Sequence, residues 1–219
     1  MSKKQKRELL IFDLDGTLID SSEDIAWSVN RTLMKLGMEP LPYSVILGYI
    51  GWGVRMLLDQ AMPVDSHHFL DEARRIFLDF YGSHLTVKTR LYSGVEETLH
   101  HLHARGFKMA IVTNKPIALT KEILNALSLT PHFTPVLGGD SVRNKKPHPE
   151  SVETVLREHS LSPAGALFIG DSRIDIETGK AAGIGTIGAA YGFRGRRELE
   201  DAGADYIIES FDELKGIIQ

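Results

Sequence analysis

The chain of 219 residues contains no cysteine. Disulfides, thiolate nucleophiles and Cys-ligated zinc are therefore excluded. It also lacks a basic excess: 25 Lys and Arg stand against 29 Asp and Glu, for a net charge of −4. Such a balance gives no electrostatic footprint for nucleic acid, and no nucleic-acid partner is expected. Long apolar runs are missing too. A membrane-spanning helix needs about 20 consecutive apolar residues. No window of the chain supplies them, so no membrane association is expected. The N-terminus, Met1 to Glu8, is basic, but only Leu9 to Phe12 follow it as an apolar run. A secretory leader needs a longer apolar segment and a small-residue cleavage site. The expected location is the cytoplasm, with the basic tail a solvated terminus. Length and composition suit one large soluble domain, or a core domain with a small insert.

What the chain does have is Leu9-Leu10-Ile11-Phe12-Asp13-Leu14-Asp15-Gly16-Thr17. An apolar strand delivers two carboxylates, one residue apart, to a glycine turn. Residues two apart on a strand share a side, so Asp13 and Asp15 would crowd each other in a regular strand. Ending the strand at Asp13 and turning at Gly16 separates them. One carboxylate can then bind a metal and attack while the other moves protons.

Two textures follow. From about Ser21 to Leu85 the pattern is helical. Ile25, Val29, Leu33 and Leu36 fall on one helix face, and Ser21 with Asp24 resembles a helix start. Further helices are expected over 54–61 and 65–84. From Gly94 onward helices alternate with strands at 107–112, 135–137, 166–169, 185–188 and 206–208. Alternation of this kind predicts a parallel sheet covered by helices on both faces. Ligands of such sheets sit beyond the carboxyl ends of the strands, where Asp13, Thr113, Asp140 and Asp171 fall.

Four motifs stand in order: Asp13-x-Asp15-Gly16-Thr17, Val112-Thr113-Asn114, Lys145-Lys146-Pro147-His148-Pro149 and Gly170-Asp171-Ser172-Arg173-Ile174-Asp175. This order resembles the haloacid dehalogenase superfamily of phosphohydrolases. The wording around Asp13, Gly138-Gly139-Asp140, Lys146 and Asp171 is especially similar to phosphoglycolate phosphatases. The resemblance implies an α/β fold: a Rossmann-like parallel sheet core formed by residues 1–19 and 90–219, with an all-helical cap inserted at 20–89. It implies Mg²⁺-dependent hydrolysis of a small phosphate monoester through an aspartyl-phosphate, with 2-phosphoglycolate as the expected substrate.

By the same resemblance Asp13 is the nucleophile and Asp15 the general acid and base. The Thr113 hydroxyl, the Asn114 backbone N–H and Lys146 hold the phosphoryl group. Physics alone does not choose between Lys145 and Lys146; the family places its lysine directly before the proline. Expected Mg²⁺ ligands are Asp13, the backbone carbonyl of Asp15 and Asp171, with Asp175 and Asp140 bracing them from behind. The segment Gly48 to Arg55 is the expected cap loop. Gly51 and Gly53 would expose backbone N–H groups to an anion at a helix N-terminus, Trp52 would narrow the pocket, and Arg55 and Arg90 are further candidates for substrate charge. The nine histidines are expected to be structural or surface groups.

Alternatives are a superfamily phosphatase for a nucleotide or sugar phosphate, a mutase of the β-phosphoglucomutase type, and a non-catalytic phosphate-binding module. Asp15 argues against a dehalogenase, which has no acid/base carboxylate there. Monomer and homodimer are both open.

Overall fold

The computed structural model describes residues 7–218; the basic tail Met1 to Lys6 lies outside the described residues. The chain runs β1 (Leu9–Phe12), β2 (Ile19–Asp20), α1 (Ser22–Lys35), α2 (Tyr43–Tyr49), α3 (Val54–Ala61), α4 (Leu70–Gly82) and β3 (Arg90–Leu91). It continues through α5 (Val95–Ala104), β4 (Lys108–Val112), α6 (Ile117–Ala126), β5 (Val136–Leu137), α7 (Glu150–His159) and β6 (Ala166–Gly170). It ends with α8 (Arg173–Ala181), β7 (Gly185–Ala189), α9 (Gly195–Asp201), β8 (Tyr206–Ile208) and α10 (Leu214–Ile217). The expected helix over 65–84 is two pieces, a 3-10 segment at Val64–Phe69 and then α4.

Six strands form one parallel sheet in the order β5-β4-β1-β6-β7-β8. β1 sits inside it, paired with β4 on one side and β6 on the other. Its four residues are fully buried. Leu10 and Phe12 join the core on one face; Leu9 and Ile11 join the core on the other, with Val152, Val155 and Phe168. A strand covered on both faces reads as a continuous apolar run, which is why Leu-Leu-Ile-Phe does not alternate. Each such side chain contributes about 1.5–3 kcal/mol on burial.

β2 and β3 form a separate antiparallel pair, Ile19 opposite Leu91 and Asp20 opposite Arg90. Helices α1 to α4 lie between them in the chain. Ile25, Val29 and Leu33 of α1 are buried, as their spacing requires. α2 and α9 have no counterpart in the sequence reading, being seven residues each and only weakly periodic. Asp24 does not cap α1. Its buried carboxylate accepts from the Lys88 and Thr89 N–H groups and the Thr89 hydroxyl, at 2.7–3.0 Å. It thereby ties the start of α1 to the segment that returns to the sheet. Among the described residues no helix is long and apolar enough to cross a membrane.

Candidate active site

The parallel order places the carboxyl ends of β4, β1 and β6 side by side, and with them Thr113, Asp13 and Asp171. β1 stops at Phe12, and Asp13 N–H still donates to Ile169 O at 2.9 Å. The chain then doubles back: Gly16 N–H donates to Ile19 O, and Leu14 O accepts from Thr17, Leu18 and Ile19. Gly16 has φ +84, and a Cβ there would lie 2.2 Å from Asp171 Oδ2. Only glycine meets both demands. This turn sends Asp13 toward Asp171, and Asp15 toward Lys115 on the opposite side of the turn.

Asp13, Asp171 and Asp175 each bring a carboxylate oxygen to within 4.8 Å of the others, and all three are buried. Lys146 Nζ lies 2.8 Å from Asp13 Oδ1 and 2.6 Å from Asp175 Oδ1. Apart from this close ion pair, Asp13 Oδ1 has no assigned hydrogen-bond partner among the described residues, which leaves it acceptor capacity. Burial pushes the Asp13 carboxyl up to about 6, with Lys146 opposing and Asp175 and Asp15 adding to the rise. Burial also drives Asp171 well above the carboxylate range, helped by Asp175 and Asp13. Burial alone would lower the Lys146 ammonium, but Asp13 and Asp175 outweigh it and hold it above the ordinary lysine value. Three buried carboxylates against one lysine leave surplus negative charge and free oxygen donors. That donor set fits a hard divalent cation.

Asp175 serves two ends at once. Its Oδ2 accepts from the Ser172 hydroxyl and N–H, a capping box that starts α8, while Oδ1 holds Lys146. Asp171 is fixed by the Phe193 N–H at 2.8 Å. Of the two adjacent lysines, Lys146 turns inward. Lys145 reaches across to donate to Trp52 O at 2.8 Å.

Thr113 and Asn114 line the same cavity as Asp13 and Asp15. Asn114 Nδ2 donates to Gly51 O and Lys146 O, so its side chain joins the helical insert to the lysine loop. The cavity holds about 40 Å³ measured at water centres, space for roughly three or four waters. Its wall beneath the inserted helices is Ile25, Ile50, Val54, Leu57, Phe77 and Tyr81.

Several expected site residues fall elsewhere. Asp140 is exposed and far from the carboxylate cluster in role: it accepts from Ile117 N–H and caps α6. Trp52 does not line the cavity. Its ring faces an outer groove with Gly48, Ser172, Arg173, Ile174, Arg194 and Glu198. Arg55 points outward to Asp71 at 3.4 Å, and Arg90 turns back on the carbonyls of Thr89 and Val87. Gly51 and Gly53 do line the cavity. The loop's carbonyls, however, are what meet the sheet side: Ile50 O accepts from Arg194, Gly51 O from Asn114 and Trp52 O from Lys145. Core donors face this loop, so its peptide planes turn their oxygens inward. Gly53, at φ +85, would place a Cβ 3.0 Å from Asn114 O, which explains the glycine by close approach.

Lys115 and Tyr81 are the residues that the sequence reading missed. Lys115 Nζ donates to both oxygens of Asp15, at 2.7 and 2.8 Å, and to the Tyr81 hydroxyl at 2.6 Å. Burial would lower its ammonium, but Asp15 and Tyr81 outweigh that and raise it. A lysine directly after Thr113-Asn114 at a strand end was a signal available in the sequence. Nothing local marks Tyr81, which sits on α4.

The family model for haloacid dehalogenase-like hydrolases matches residues 10–189. The phosphoglycolate phosphatase of Colwellia psychrerythraea is 36% identical, with 97% of each chain covered. That of Psychrobacter arcticus is 37% identical, covering 97% of this chain and 94% of its own. The crystal structure of a predicted phosphoglycolate phosphatase from Haemophilus somnus 129PT shares the fold at TM-score 0.91 and 32% identity, over 100% of both chains. With a match running through both the sheet and the helices that follow its first strand, this chain belongs to the haloacid dehalogenase-like hydrolase family.

Proposed function

We propose that this protein is a Mg²⁺-dependent phosphatase that hydrolyses 2-phosphoglycolate to glycolate and phosphate. One observation carries the chemistry: Asp13 and Asp15 open on one cavity but hold different partners, Asp13 the carboxylate cluster with Lys146 and Asp15 the Lys115 ammonium. The substrate assignment rests on the names of the relatives and on the small size of the cavity.

In this reading Asp13 attacks phosphorus and forms an aspartyl-phosphate. A carboxylate is a weak nucleophile, so the gain comes from positioning and from charge neutralisation at the phosphoryl oxygens. Lys146, the Thr113 hydroxyl and the Asn114 backbone N–H supply donors aimed at those oxygens. Asp15 gives its proton to the departing glycolate oxygen, then takes one from the water that cleaves the aspartyl-phosphate. Asp13, Asp171 and the Asp15 carbonyl would hold Mg²⁺, with Asp175 fixing Lys146 beside them. When bound, the cation offsets the surplus negative charge of the cluster and of the phosphate. Residues 20–89 act as a cap that closes over the rim and excludes water. A location in the cytoplasm is part of the same proposal.

The test is phosphate release with Mg²⁺ across 2-phosphoglycolate, sugar phosphates and nucleoside monophosphates, with Asp13→Asn as blank. A kcat/KM for 2-phosphoglycolate far above the rest is expected. Another preferred monoester would reassign the substrate, and no release from any member would overturn the phosphatase.

A further inference from the structure

The cap loop cannot be the main reader of an acidic leaving group, because the carbonyls of Ile50, Gly51 and Trp52 are committed to core donors and Arg55 points to solvent. Among the described residues that line the cavity, Lys115 is the single cation. We infer that Lys115 and the Tyr81 hydroxyl form the subsite that recognises the carboxylate of the leaving group, and that they are the specificity-determining residues of this enzyme. The inference deepens the 2-phosphoglycolate reading and rests on it.

Three observations support it. First, Lys115 and Tyr81 both line the cavity that Asp13 and Asp15 share, beside the apolar Ile25, Leu57 and Phe77. An anion entering there has one favourable end. Second, Tyr81 O accepts from Lys115, so the phenol's own proton remains to be donated. Burial keeps that phenol protonated, well above its ordinary titration range.

Third, Lys115 ties this subsite to the acid/base carboxylate: its Nζ donates to both oxygens of Asp15 and to the Tyr81 hydroxyl, so the cation that would meet a substrate carboxylate sits directly beside the group assigned to the leaving oxygen. Lys115 joins elements far apart in the chain: it follows β4, while Tyr81 lies on α4, between β2 and β3. The contact thus forms only when the helices rest on the sheet.

The experiment compares kcat/KM for 2-phosphoglycolate and 2-hydroxyethyl phosphate, the same skeleton with CH₂OH in place of the carboxylate. Wild type, Lys115→Met and Tyr81→Phe are measured with Mg²⁺, and folding is checked by thermal melt. Wild type should strongly prefer the acid. Lys115→Met should reduce that preference ratio about 30-fold or more, and Tyr81→Phe about 5-fold, as expected for losing hydrogen bonds to a charged group. Lys115→Met will also slow both substrates by disturbing Asp15; the ratio cancels that common factor. A ratio unchanged in both variants, with both substrates slowed equally, overturns the subsite and leaves the substrate reading standing. No preference in wild type overturns the substrate reading and the subsite with it. If Lys115→Met does not fold, an unchanged ratio in Tyr81→Phe alone overturns the subsite.

Discussion

The two sides of the cavity are built in opposite ways. On the floor, Asp13 opens on the cavity, and behind it Asp171, Asp175 and Lys146 crowd charge into a small buried volume beyond β1 and β6. On the wall, Ile25, Leu57, Phe77 and Tyr81 from the inserted helices are mostly apolar, with Lys115 as the lone cation. The floor is held by short motifs in rigid strand ends. The wall depends on helices that rest on the sheet through a two-residue ribbon and the Asp24 clasp. On the proposed reading the difference separates chemistry from choice: the floor would handle a phosphoryl group on many leaving groups, and the wall would decide which leaving group fits.

Breaking the floor should have the largest effect. Asp13→Asn is expected to lower kcat by about 10⁴-fold or more for every monoester, as for loss of a covalent nucleophile. The thermal midpoint should stay close to wild type, because the amide is nearly isosteric. Comparable turnover by that variant would remove Asp13 from the reaction. Lys146→Met comes next. It leaves Asp13 and Asp175 buried without their cation, and loss of one partner from such a cluster costs about 3–5 kcal/mol. Denaturant unfolding of the metal-free protein measures that cost, and Mg²⁺ should recover part of it.

Metal removal sharpens the comparison because it acts on the floor alone. EDTA should stop phosphate release and Mg²⁺ should restore it, with the acid-to-alcohol preference of the wall unchanged after restoration. The effect on stability depends on pH. The folded Asp13 carboxyl titrates at about 6 against an ordinary value of 3.8. Between those values the native chain holds a proton that the unfolded chain has released, so metal-free stability falls as pH rises through that window. A cation competes with that proton. Mg²⁺ should therefore raise Tm more at about pH 7.5 than at about pH 5. An equal gain at both would place the ion away from Asp13. The smallest effect is expected from Trp52→Ala, whose ring faces the outer groove. Its substrate profile should match wild type within about threefold, since surface changes of this kind are usually worth about 0.5 kcal/mol. A changed profile would bring the Trp52 ring back to the wall.

The floor was legible because its residues act through local rules. Asp13 ends a doubly covered strand, Gly16 forces the turn, and Asp175 closes a capping box three residues after Ser172. The wall was legible only in outline. The glycines at 51 and 53 were expected to offer N–H groups to an anion, but Gly53 instead lies close against Asn114, and which peptide atoms face the core could not be read from the sequence. Arg55 looked like a substrate cation and pairs with Asp71 instead. Asp140 belongs to the family wording but caps α6. In each case the residue type was informative and its direction was not.

The sequence by itself determined the alternation of strands and helices, the place of the helical insert, and the order in which carboxylates and lysine arrive at strand ends. Those features follow from periodicity and turn chemistry, which act over a few residues. Only the tertiary structure decided which lysine reaches Asp13, which one reaches Asp15, and that Tyr81 meets Lys115. Those choices depend on how helices α1 to α4 settle on the sheet, where contacts join residues far apart in the chain, beyond the reach of any local pattern.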